Sequence, residues 1–316
     1  MVPPVEFGSY YGRAVVKAPA WHHDIAAYLF TGGLAAGSAL LAAGADLTGR
    51  PALRRAGRST ALGALLASTY FLVNDLGRPA RFHHMLRVAK PSSPMSMGTW
   101  ILSGFGAGAG VAAAAEAAPL LPQHGVLGLA RRALPPLGTV GGLAAAATAP
   151  ALATYTAVLL ADTATPSWHE AYPDLPFVFA GSAMAAAGGA GMLLAPTAEA
   201  GPARRLALAG AAVDLAAARR VEHGMGLVSE PYRQGRAGAY LRGARSLTIA
   251  GAAGALLGGR SRVLSALSGL ALMGASVLTR FGVFEAGIES AKDPRYTVVP
   301  QRERLGQRDG RTALEP

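Results

Sequence analysis

A series of apolar runs of about twenty residues, each closed by Gly, Pro or clustered Arg, limits this chain to very few folds. A helix of that length crosses the ~30 Å hydrocarbon core of a bilayer. In lipid a spanning segment must satisfy its own backbone hydrogen bonds, as a helix does. The first run covers 24–45 and ends before Asp46 and a loop with Arg50, Arg54, Arg55 and Arg58. Runs over 57–74, 96–118, 137–161 and 175–195 follow. Three weaker runs cover 206–221, 247–259 and 263–279. The first of these is interrupted by Asp214, the second reaches full length only by starting near Tyr240, and the third suffices if tilted. The segment 120–136, with prolines and with Arg131 and Arg132, reads as interfacial. The predicted fold is an all-α polytopic membrane protein with about eight transmembrane helices, seven being the nearest alternative.

Composition agrees. Charged residues make up 15% of the 316, against about 25% in soluble domains, and hydrophobic residues 51%. A net charge of +11 in a soluble chain would suggest a nucleic-acid partner. Here the arginines sit between apolar runs, where they anchor helix ends, so the partner is membrane lipid and not nucleic acid. The chain has no cysteine. It holds no iron–sulfur cluster, disulfide or thiolate metal site of its own, and any redox centre belongs to another subunit or a diffusible molecule. The stretch 1–20 lacks an apolar core and is not expected to be a cleaved leader.

Small residues recur inside the runs. Gly33 and Gly37 form a pair spaced for close helix approach, and Gly104, Gly106, Gly108 and Gly110 give the third run a smooth face. An even helix count puts both termini on one side, with the loops around Asp75, Asp162 and Glu222. The opposite loops carry Arg50/54/55/58, Arg131/132, Arg204/205 and Arg260/262, so the positive-inside rule makes them cytoplasmic and the termini extracytoplasmic. The loops after Asp75 and over 219–245 are also basic, which narrows that difference.

The most informative polar stretch is 70–100. Asp75 closes an apolar run; Gly77, Arg78 and Pro79 follow, then Arg81, His83, His84, Arg87 and Lys90. A second break over 91–96 (Pro-Ser-Ser-Pro-Met-Ser) returns the chain to apolar sequence at Trp100. Proline lacks a donor and restricts the residue before it, so both helices stop here. This loop reads as the working face.

Three segments carry a resemblance: WHHDIAAYLFTGG at 21–33, DLGRP at 75–79 and SPMS at 93–96. With Tyr155-Thr156, FEAG at 284–287 and Asp293-Pro294, the chain resembles the NrfD/PsrC-type integral membrane subunits of polysulfide reductase and related molybdopterin oxidoreductases. The likeness runs over about 21–304. It implies two four-helix bundles, here 24–161 and 162–279, between extramembrane segments 1–23 and 280–316. It also implies a cell-membrane location and a quinone (menaquinone or ubiquinone) bound near the membrane surface. A four-cluster ferredoxin-like iron–sulfur subunit would dock there and exchange electrons with a molybdopterin catalytic subunit, the chain alone catalysing nothing. The family carries no haem. The seven histidines (22, 23, 83, 84, 124, 169 and 223) independently fall at run ends or in loops, with no mid-membrane pair for axial ligation. No metal site is expected.

Quinone chemistry needs polar groups at the ring carbonyls and a proton supply. Asp24 and Tyr28 share one helix face at i, i+4, with His23 beside them. These three read either as quinone partners or as an N-terminal cap and interfacial belt. Asp75 is the leading catalytic candidate, since an ionisable group at the edge of a membrane helix is costly. Arg78 is its expected partner, and a purely structural ion pair at the turn is the competing reading. By the resemblance, Tyr155 matches the position whose phenol hydrogen-bonds the quinone. Trp168 and His169 line the slot or sit at the interface, the second being favoured. Arg81, His83, His84, Arg87 and Lys90 form a docking surface or a solvated loop. Asp214, Glu222, His223, Asp162 and Glu116 are too few and too scattered to read as a proton channel. Two rival functions stand beside the redox subunit: a passive anchor without its own quinone site, and an ion- or proton-translocating transporter. The transporter would show helices broken mid-membrane at matching points of two repeats.

Overall fold

The computed structural model describes residues 14–312, with side chains to 306, so residues 1–13 and 313–316 of the expected terminal segments lie outside it. Every regular element among the described residues is helical. In chain order these are α1 His23–Leu47, α2 Pro51–Asn74, α3 Pro94–Ala115, α4 Gly125–Ala161, α5 Pro166–Glu170 and α6 Leu175–Leu194. Then come α7 Gly201–Gly224, α8 Glu230–Arg233, α9 Gly235–Leu257, α10 Arg262–Lys292 and α11 Arg295–Thr312. A 3₁₀ helix, Pro79–Leu86, occupies the loop between α2 and α3.

Among the described residues five helices are long and apolar enough to cross a membrane: α1, α3, α4, α6 and α10. Length and composition thus make this a multi-pass membrane protein. The helices α2, α7 and α9 have similar lengths, 24, 24 and 23 residues. Their arginines lower their hydropathy. Neighbours in space follow neighbours in sequence: α1, α2, α3 and α4 pack in order and α4 returns to α1, while α6, α7, α9 and α10 do the same. The two sets meet mainly through α1 and α4 against α6, and α1 against α10.

Three boundaries differ from the sequence reading, each for a local reason. The helix α2 starts at Pro51, so Arg54, Arg55 and Arg58 lie on its first turns and not in a loop. Proline is well placed there, because an N–H in the first turn has no intrahelical partner to lose. The interfacial segment 120–136 largely becomes the start of α4, which holds Pro135, Pro136 and Pro150 within 37 residues. Pro135 and Pro136 remove the donors to the carbonyls of Arg131 and Arg132 without ending the helix. Finally, α10 does not stop at Thr279 but continues to Lys292, and Arg280, Phe284 and Glu285 are buried within it. The chain leaves α10 only at Asp293, so residues 280–292 continue this helix.

Small residues set the helix spacing. A Cβ added at Gly37 would sit 2.7 Å from the Ala183 carbonyl, which joins α1 to α6. At Gly188 it would lie 2.6 Å from the Ala203 carbonyl, and at Gly189 2.6 Å from the Gly269 carbonyl. On α3 only Gly108 makes such a contact, 2.7 Å from the Gly141 carbonyl; Gly104 and Gly110 face open space. Gly189→Ala is therefore expected to destabilise by about 1–3 kcal/mol through overpacking. Gly110→Ala should be neutral or stabilise by up to ~1 kcal/mol. Thermal melting of the purified chain in detergent distinguishes the two.

Candidate functional site

The site grows from the tie between the start of α1 and the end of α2. His22, extended ahead of α1, donates its backbone N–H to Asp75 Oδ1 at 3.0 Å, and its Nδ1 lies 3.1 Å from the same oxygen. Asp75 caps the C-terminus of α2. Beside it, Asn74 Nδ2 donates to Asp24 Oδ2. The Asp75 side chain is 7% exposed whereas His22 is 79% exposed, so a nearly enclosed carboxylate touches a group that reaches solvent. The expected partner Arg78 is not there. It lies exposed just before the 3₁₀ helix, and His22 takes its place.

Next to Asp75 a cavity of about 60 Å³ is walled by Trp21 and by residues from all four of α1–α4. Tyr28 comes from α1, Asp75 from the end of α2, Thr99 from α3 and Tyr155 from α4. Tyr155 lies directly over Gly98, where an added Cβ would come 2.1 Å from its Cε2. Neither the Tyr28 nor the Tyr155 hydroxyl has a protein hydrogen-bond partner among the described residues, although both residues are buried. Met85 from the 3₁₀ segment and Met95 from the start of α3 close the cavity on its loop side. Both also line an outer cavity of about 270 Å³, together with His84, Lys90 and Thr99. Two flexible thioethers thus separate the inner pocket from the surface.

Of the sequence candidates, Tyr28, Asp75 and Tyr155 converge on this pocket. Asp24 is held one residue away by Asn74. His23 turns toward α10, where its Nε2 is 2.7 Å from Glu285 Oε1 and its ring packs near Phe281 and Phe284. His169 is not among the residues lining the pocket; its Nδ1 lies 2.9 Å from the Ala161 carbonyl at the end of α4. Trp168 does not line the slot. It is fully buried, donates to the Val283 carbonyl at 2.7 Å and occupies the space above Gly287. Arg81, His83, His84, Arg87 and Lys90 are all exposed. The acids considered for a proton route separate: Asp214 and Glu222 line a cavity of about 30 Å³ among α6, α7, α9 and α10, while Glu116 pairs with Arg54 and Arg58 at the opposite end of the fold.

Sequence reasoning missed three features: His22 as the partner of Asp75, Glu285 as that of His23, and Gly98 as the seat of Tyr155. The first two pairs join residues 53 and 262 positions apart, so no local pattern signals them. Gly98 directly follows the Ser-Pro-Met-Ser-Met turn and was the one local clue.

Residues 15–207 match the family model described as polysulphide reductase, NrfD, a span that contains every residue lining the pocket. No curated protein matches the chain. Gly98→Ala is expected to cost about 1–3 kcal/mol because the new methyl overlaps the Tyr155 ring. In a Tyr155→Ala background the same substitution should cost far less. A double-mutant cycle on melting free energies measures this coupling.

Proposed function

The chain belongs to the NrfD family, and on that premise we propose that it is the quinone-interacting membrane subunit of a molybdopterin oxidoreductase complex. The observation that carries this reading is the pocket, lined together by a nearly enclosed carboxylate and two buried tyrosines whose hydroxyls have no protein partner among the described residues. The head group of a menaquinone or ubiquinone has two ring oxygens to be hydrogen-bonded, and when bound it supplies two-electron, two-proton redox chemistry. Tyr28 and Tyr155 offer the donors. Asp75 exchanges the proton with His22, which passes it to water because its ring is exposed. The inner cavity of about 60 Å³ is far below the roughly 300–1,000 Å³ of small-molecule sites, so Met85 and Met95 swing aside to join it to the outer space.

The exposed basic loop supports the rest of the assembly. His84 and Lys90 line the outer cavity and Arg81 and Arg87 are exposed on the same loop, where a four-cluster ferredoxin-like iron–sulfur subunit docks and meets the quinone. That subunit in turn exchanges electrons with the molybdopterin catalytic subunit. In this reading α2, α7 and α9 also cross the bilayer, which gives eight spans in two four-helix bundles. The charges at their ends and the partners they pack against support this. The Arg-rich end, with Arg54, Arg131, Arg204 and Arg262, is cytoplasmic by the positive-inside rule, and the pocket opens on the other side of the cell membrane.

In the purified complex, Asp75→Asn is expected to lower quinone-linked turnover on the order of 100-fold, the usual worth of a positioned acid–base group. Tyr155→Phe should lower it about tenfold, the worth of one hydrogen bond. Activity with an artificial dye at the catalytic partner should stay unchanged in both. Full quinone turnover in both variants would leave a passive anchor.

A further inference from the structure

At the end of the fold opposite the tyrosine pocket lies a cavity of about 440 Å³, within the roughly 300–1,000 Å³ range of ligand sites. Arg54, Arg58, Arg131, Asp46, Glu116 and Thr139 supply its polar wall. Two of the arginines are paired with acids. Arg54 donates Nε and Nη2 to Glu116 at 2.8 and 3.2 Å and Nη1 to Asp46 at 3.3 Å. Arg58, 5% exposed, donates to Glu116 at 2.9 Å, to Asp46 at 2.8 Å and to the Gly138 carbonyl at 3.1 Å. Thr139 adds a bond to Asp46 at 2.9 Å. Two cations and two anions thus make a rigid neutral frame.

Arg131 is left over. Its Nη1 donates to the carbonyls of Pro119 and Leu121 at 2.9 and 2.7 Å, which fixes the guanidinium in place. Its Nε and Nη2 have no partner among the described residues. These two groups form one edge of the guanidinium fork, the edge that takes two oxygens of a phosphate at once. No acid lining the cavity remains to neutralise this charge, and Arg55 and Arg132 stand exposed at the same end.

The surroundings of Arg131 are those of an amphiphile site. At 37 residues α4 is about 55 Å long, much more than the bilayer core requires, so its first turns reach the head-group region. There Leu120, Val126 and Leu129 are 85%, 84% and 69% exposed. We propose that this cavity seats the phosphate of an anionic phospholipid on the free edge of Arg131, with the acyl chains lying along Leu120, Val126 and Leu129. The shared chemistry is a phosphate oxyanion, and the exposed aliphatic rim favours a lipid over free phosphate.

The test is the melting temperature of the full chain in nanodiscs of phosphatidylcholine alone or mixed with phosphatidylglycerol, since a ligand of the folded state raises it. Phosphatidylglycerol is expected to raise the midpoint, and Arg131→Ala to remove at least half of the rise. Arg131 also holds the turn at Pro119, so Val126→Glu provides a second variant that leaves this turn intact and repels the anionic head group. It too should lose the rise. An undiminished rise in both variants overturns the site. A rise of equal size from inorganic phosphate in phosphatidylcholine nanodiscs overturns the lipid assignment.

Discussion

Helix axes in this protein approach until backbone meets backbone, and that closeness decides what the interior can hold. The contacts at Gly37, Gly108, Gly188 and Gly189 leave no room for a methyl group. Lipid provides no hydrophobic drive between helices, so association depends on such packing and on buried polar bonds. A core of Ala and Gly has few large side chains, and each needs a place made for it. Tyr155 lies over Gly98, Trp168 over Gly287, and the Arg280 guanidinium against Gly33. The pocket exists because one of these seats, the Gly98 position, lets a phenol lean into the gap between α3 and α4.

Charge obeys the same economy. Arg280 is fully buried yet donates to the Phe179 carbonyl at 2.8 Å and stacks on the Phe179 ring, its Cζ 3.7 Å from the centroid. Nearly every other charge is at one of the two ends. One end is an arginine frame around Asp46 and Glu116, built to stay fixed. At the other, Asp75 meets His22 and Glu285 meets His23, beside arginine–carboxylate pairs such as Arg220–Asp174 and Arg295–Glu230.

Much of this was legible in the chain. Apolar length alone identifies α1, α3, α4 and α6, and small-residue spacing correctly marks Gly37 as a contact. The ends of α2 and α10 were not legible, because Arg54, Arg58, Arg280 and Glu285 look like exits from the membrane. They are paired within the fold, mostly with groups far away in sequence, among them Glu116, Phe179 and His23. Of the residues lining the pocket, Asp75 stood out as an ionisable group at a helix edge and Tyr28 by its spacing from Asp24, whereas Tyr155 was named only through the family resemblance. The assignment of Arg78 to Asp75 failed because nearness along the chain was taken for nearness in space, and a turn carries Arg78 away.

The ring of Trp21 that walls the tyrosine pocket stacks on Trp168, centroids 5.9 Å apart. Trp168 leans in turn on Phe284 and is bonded to the backbone of α10. Two indoles therefore work as a rigid strut between the pocket and the far set of helices. A change in spacing between α1 and α10 alters the pocket wall directly, without passing through any flexible side chain. The width of the slot is a property of the whole molecule, not of the four helices that enclose it.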